Sequence, residues 1–149
     1  RSIEEDKIKL HILMFGGGPA IRAKTYRVFH RSNVDNVMDE IIEWAREGTK
    51  LLGCTPSTIA VGIGRSHYEA TSLMLQALVD GTYDKQSELE QRITDEVNDS
   101  GAGALGLGGN NTVLATFMKV GPQRALGAHV VCMRPCCCFE PRIATVELQ

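Results

Sequence analysis

The sequence predicts an α/β fold, a mixed sheet with flanking helices, built as a single domain over residues 1–149. Three observations carry this expectation. Short β-branched runs alternate with longer segments of helical periodicity, glycines stand at the ends of the runs, and neither an internal repeat nor a linker divides the chain. With 149 residues and 43% hydrophobic content, the chain has the length and apolar matter for one core.

The elements follow in order. Residues 9–15, "KLHILMF", form an apolar run halted by Gly16-Gly17-Gly18. This reads as a buried strand feeding a permissive glycine loop, where backbone can approach a ligand. Val34, Val37, Met38, Ile41, Ile42 and Ala45 then recur at three- and four-residue intervals, behind Ser32-Asn33 and ahead of Gly48, and predict an amphipathic helix. After Pro56, "STIAVGI" is too short and too β-branched for a helix; it predicts a strand buried on both faces, with Gly62-Ile63-Gly64 as its exit. Residues 67–79 and 88–98 have helical composition and are separated by "DGTYDKQS". A glycine-rich loop, "SGAGALGLGGNN" at 100–111, leads into the strand candidate "TVLATFMKV", and "AHVVCM" and "RIATVEL" read as two more strands around a cysteine-rich turn.

Charge and hydropathy exclude several partners. Eighteen acidic and sixteen basic side chains give a net charge of -2 with no long single-sign run, so no nucleic-acid partner is expected. No apolar stretch reaches the roughly 20 residues of a membrane helix, and the polar opening "RSIEEDK" lacks a signal-peptide core. A cytoplasmic protein without membrane contact is the expectation. The chain starts at Arg1 without a methionine, which suggests a part of something longer. Its five cysteines, Cys54, Cys132, Cys136, Cys137 and Cys138, are odd in number and crowd toward one end. That fits reduced or metal-bound thiols better than a disulfide framework.

Several chemistries compete for these residues. Strand, Gly62-x-Gly64 and helix is the order of a dinucleotide fingerprint, but His67 takes the third glycine position and no acidic residue ends a strand about 20 positions on. A plain strand-to-helix turn explains those glycines as well. Cys54 stands just before a predicted strand and Cys132 near the end of another, where both thiols would face one cleft; two distant cysteines are also commonly buried small hydrophobes. Cys136, Cys137 and Cys138 are backbone neighbours that cannot easily point at one metal, and read as structural, incidental or an oxidation-sensitive turn. His11, His30, His67 and His129 show no ligand spacing. Gly106 to Gly109 offer either an anion cradle or a tight strand entry.

Taken together, "GGG" at Gly16 to Gly18, "CTPSTIAVGIG" from Cys54, "ELEQRITDEVNDSGAGALGLGGNNTVLA" from Glu88 and "HVVC" ending at Cys132 resemble, in that order, the α region of the iron-sulfur-dependent fumarases and L-tartrate dehydratases. The resemblance covers nearly the whole chain. It implies the C-terminal part of a hydro-lyase α region, acting reversibly on fumarate and malate or on tartrate and oxaloacetate at a [4Fe-4S] cluster with one open iron. Such a reaction needs a Lewis acid at the leaving oxygen and a base at the neighbouring carbon. By resemblance, Cys54 and Cys132 match two of three cluster ligands, with the third upstream, and Gly18 and Gly17 match the glycines at the substrate. A β domain or subunit would supply the base and most carboxylate contacts in an oligomeric assembly, so the chain alone would be inactive and largely iron-free. No catalytic residue is assigned within it. Where the family carries Arg-His-Pro-Ala-Ser this chain has "GPQRALGA", with Arg124 the nearest substitute for a substrate contact; Asn110 replaces a lysine and Arg65 a glycine. These departures keep open a second reading, a non-catalytic relative serving as a binding or assembly module.

Overall fold

The computed structural model describes residues 7–123, 127–138 and 142–148. In chain order these form β1 (Ile8–Met14), α1 (Gly17–Ala20), β2 (Lys24–Phe29), α2 (Asp35–Lys50), β3 (Ser57–Gly64), α3 (His67–Asp80), α4 (Glu88–Asn98), β4 (Val113–Val120), β5 (Ala128–Pro135) and β6 (Arg142–Leu148). The expected mixed α/β architecture is present. Four strands make one sheet in the order β2-β5-β3-β4, with β3 and β4 parallel and β5 antiparallel to both β3 and β2. β1 and β6 pair antiparallel as a separate two-stranded sheet.

β3 is buried at every position, as its β-branched run predicts for a strand covered on both faces. Its residues sort by period two. Ile59, Val61 and Ile63 join Val37, Met38, Ile41 and Ile42 of α2, Ile93 and Val97 of α4, and Val131 and Met133 of β5 in one apolar cluster. Ala60 faces the other layer, with Ala70, Met74, Ala77 and Leu78 of α3, Phe117 of β4 and Val130 of β5. The small residues of β3 let α3 lie close. A Cβ at Gly62 would overlap the Ala70 carbonyl oxygen and the Met74 nitrogen, and one at Gly64 would stand 2.8 Å from the Ala70 nitrogen. Close helix-on-strand packing therefore requires the Gly-x-Gly sequence, without any nucleotide.

Helix ends follow local chemistry. The Ser66 side chain accepts the Glu69 N–H at the start of α3, and Ser87 and Glu90 form a reciprocal capping box at the start of α4. Glu90 also accepts the Met118 N–H at 2.7 Å, which ties the first turn of α4 to β4.

Two expectations change. β1 is not buried: Ile8, Leu10, Ile12 and Met14 alternate onto an exposed face, opposite Leu148, Val146, Ala144 and Arg142 of β6. The apolar run alternates with Lys9, His11 and Leu13, and the other face carries the Lys9–Glu147 ion pair and the His11–Thr145 hydrogen bond. β2 has no counterpart in the sequence reading. It is an edge strand with only Val28 buried, so its charged and polar residues conceal it.

Candidate functional site

Strand directions decide which loops meet. Because β5 runs antiparallel to β3, the entry of β3 and the exit of β5 lie at one end of the sheet, where the Cys136 N–H donates to the Thr58 carbonyl at 2.7 Å. The entry of β4 joins them, since Ser57 N–H donates to the Thr112 carbonyl. The glycine-rich loop closes over the same rim. Thr55 Oγ1 donates to the Gly103 carbonyl at 2.6 Å, the Leu105 N–H donates to the Thr55 carbonyl at 3.1 Å, and Thr112 Oγ1 accepts the Gly103 N–H at 3.0 Å. Gly103 has φ +67°, and a Cβ there would collide with the Gly108 carbonyl, so this crossing of the loop requires glycine. Cys54 is thus held on a braced rim by its neighbour Thr55.

The five cysteines have sharply different surroundings. Cys54 is half-buried and Cys138 is exposed, and the two thiols are neighbours on this rim. The neighbouring Cys54 side chain first, and desolvation second, hold the Cys138 thiol above its ordinary range. Cys137 turns toward the glycine triplet, with its Sγ 2.6 Å from where a Gly16 Cβ would stand. Cys136 is buried, and desolvation pushes its thiol up to about 12. Cys132 is only 2% exposed, mid-strand in β5 among Ala60, Ala70, Met74, Phe117 and Val130. The expectation that Cys54 and Cys132 face one cleft therefore fails for Cys132: its strand position points it into the α3 layer. The thiol beside Cys54 belongs to Cys138.

Gly17 and Gly18 are both exposed. A Cβ at Gly17 would meet nothing within 4 Å, and one at Gly18 only Arg22 Nη1, at 4.0 Å. The fold itself does not require glycine at either position. Arg22 Nη1 donates to the Gly18 carbonyl at 2.9 Å, and the Arg134 guanidinium lies 3.9 Å from the centre of the Phe15 ring. Arg124 falls outside the described residues. Among the described residues, no three His, Cys, Asp or Glu side chains converge as a metal site.

This rim lies on a chain whose residues 1–147 match the family model of Fumarate hydratase (Fumerase). The chain belongs to that family. No curated protein matches it. In this fumarate hydratase family chain the rim contains Cys54, Cys138 and the open glycines, while Gly62 and Gly64 lie toward the other end of β3. Arg65 follows them and is clamped by Glu69 at 2.9 Å. Asn110 is exposed at the end of the glycine-rich loop. The placement of Cys138 beside Cys54 had one available signal: a cysteine before one strand and a cysteine after another meet if the strands are antiparallel neighbours.

Proposed function

We propose that this chain is part of a hydro-lyase that adds water to, or removes it from, a small dicarboxylate such as fumarate or tartrate, using a [4Fe-4S] cluster held in part by Cys54 and Cys138. The observation that carries this reading is the juxtaposition of those two thiols on an accessible rim. Two neighbouring thiolates form a soft donor pair, and a bound cation relieves the repulsion between them. The donor set fits the group as two of its ligands, with a further thiolate needed from outside the described residues. Cys132, in its apolar layer, is not among the proposed ligands.

Bound there, the cluster supplies a Lewis acid for the departing hydroxyl oxygen. The chain's own residues do the rest of its share. Thr55 and the Gly103 loop fix the backbone around Cys54, Cys137 packs on Gly16, and the open Gly17 and Gly18 leave room for a substrate beside the rim. A β domain or subunit provides the base, and the exposed apolar face of β1 and β6 favours an assembly over an isolated chain. A cytoplasmic setting, where thiols stay reduced, suits this chemistry.

Anaerobic iron-sulfide reconstitution of the chain with the rest of its assembly tests the reading. The expected result is a cluster absorbance, chelator-sensitive hydration of fumarate or dehydration of tartrate, and loss of both in Cys54→Ser and Cys138→Ser. The chain alone should remain iron-poor and inactive. A cluster without turnover would instead favour a non-catalytic family relative, and a cluster indifferent to both substitutions would overturn the ligand assignment.

A further inference from the structure

We propose that Arg22 and Arg134 are the carboxylate-recognising residues at the Gly16–Gly18 turn, binding a small dicarboxylate dianion. The need for an anion is argued from their surroundings; its identity as a dicarboxylate rests on the hydro-lyase reading.

A guanidinium stays charged at any physiological pH, and its N–H groups lose water when buried. Arg22 Nε and Arg134 Nε are both buried, and neither has an acceptor among the described residues. No described carboxylate pairs with either side chain. Other arginines are paired: Arg92 is bonded by Asp35, Asp39 and Glu96, Arg65 by Glu69, and Arg46 by Glu96. Among the described residues, the two arginines with a buried Nε that has no acceptor, Arg22 and Arg134, meet the same turn.

Both are also held in place. Arg22 is fixed by its bond to the Gly18 carbonyl. Arg134 stacks on Phe15, the residue that enters the turn, and lines a small cavity with Gly16, Pro19, Cys136 and Cys137. Held guanidinium groups lose less freedom on binding, and their planar forks match carboxylate oxygens. The open positions beside Gly17 and Gly18 provide approach. Cys137 joins this turn to Cys138 and the thiol rim. Neither arginine stands out in the sequence, because each is a single cation without motif spacing.

The test is titration of the 149-residue chain with succinate, a saturated diacid that cannot be hydrated, followed by calorimetry and by backbone amide NMR shifts. Wild type should bind succinate more tightly than acetate, with shifts at Gly17 and Gly18. Arg22→Gln and Arg134→Gln should each weaken succinate about tenfold or more, and the lysine variants should recover part of the loss. Circular dichroism checks folding; if Arg134→Gln does not fold, Arg22→Gln and Arg134→Lys decide. Absence of succinate binding to wild type, equal affinity for acetate, or unchanged binding in the arginine variants overturns the proposal. These outcomes are separate from those for the hydro-lyase: a reconstituted assembly that hydrates fumarate with Arg22→Gln and Arg134→Gln at an unchanged KM would sink this inference alone. Arginine-dependent succinate binding by a chain whose assembly holds no cluster would sink only the hydro-lyase reading.

Discussion

The α3 layer and the strand-end rim use the same two residue types for opposite purposes. In the layer, Gly62 is a glycine because the α3 backbone occupies the space of its Cβ, and Cys132 is a small apolar filler beneath the same helix. At the rim, Gly17 faces open space and Cys138 faces another thiol. Residue type alone does not assign a glycine or a cysteine to structure or to chemistry. What occupies the space next to it does.

The largest effect should separate the two glycines. Gly62→Ala drives a methyl group into helix backbone, which cannot rotate away as a flexible side chain could, so a loss of about 3 kcal/mol or more is expected. Gly17→Ala should change stability by no more than about 0.5 kcal/mol while impairing substrate binding in the assembled enzyme. Chemical denaturation of both variants measures the contrast. A Gly17→Ala chain as unstable as Gly62→Ala would show that the turn is packed from within and is no approach to a substrate.

The cysteines sharpen the same comparison. Cys132→Ser places a hydroxyl in an apolar layer and should cost about 1–3 kcal/mol of stability while leaving the cluster in place. Cys138→Ser should do the reverse, with little change in unfolding and loss of cluster absorbance. Thiol labelling of the native chain offers a second view. Exposed Cys138 and half-buried Cys54 should react first, and Cys136 and Cys132 only on unfolding. Fast labelling of Cys132 would mean that the layer opens, and with it the case for excluding that thiol.

This division also marks where the sequence was legible. β3, α2, α3 and α4 could be read because a buried element leaves a periodic apolar signature, and Ile59, Val61 and Ile63 leave a strong one. β2 could not, since an edge strand needs only Val28 inside. β1 was read as a strand, but its apolar face was assigned to a core it does not join, because alternation reports a face and not what covers it. At the rim, the position of Cys54 is legible from its place before a strand. The place of Cys138 is not legible because three adjacent cysteines look equivalent, whereas the chain leaving β5 sends Cys136 inward, Cys137 onto Gly16 and Cys138 toward Cys54. That sorting depends on the pairing of β5 with β3, a long-range fact.

The smallest expected effect lies away from both regions, where β2 ends and β5 begins. The His30 and His129 rings stack there with centroids 4.9 Å apart, and His30 Nδ1 accepts the Ser32 N–H at 2.9 Å. Burial first, and the neighbouring His30 second, lower the His129 pKa from 6.5. A histidine that resists protonation in the folded state binds more protons when unfolded, so its contribution to stability is present above pH 6.5. It is lost as pH falls through that value and then through the folded pKa. Solvent near the pair keeps the effect modest. Denaturant midpoints measured between pH 8 and pH 5 should therefore fall more steeply for wild type than for His129→Gln, which keeps a polar side chain but cannot take the charge. Parallel curves for the two proteins would remove His129 as the source, and a steeper fall in His129→Gln would reverse the sign of the coupling between the stacked rings.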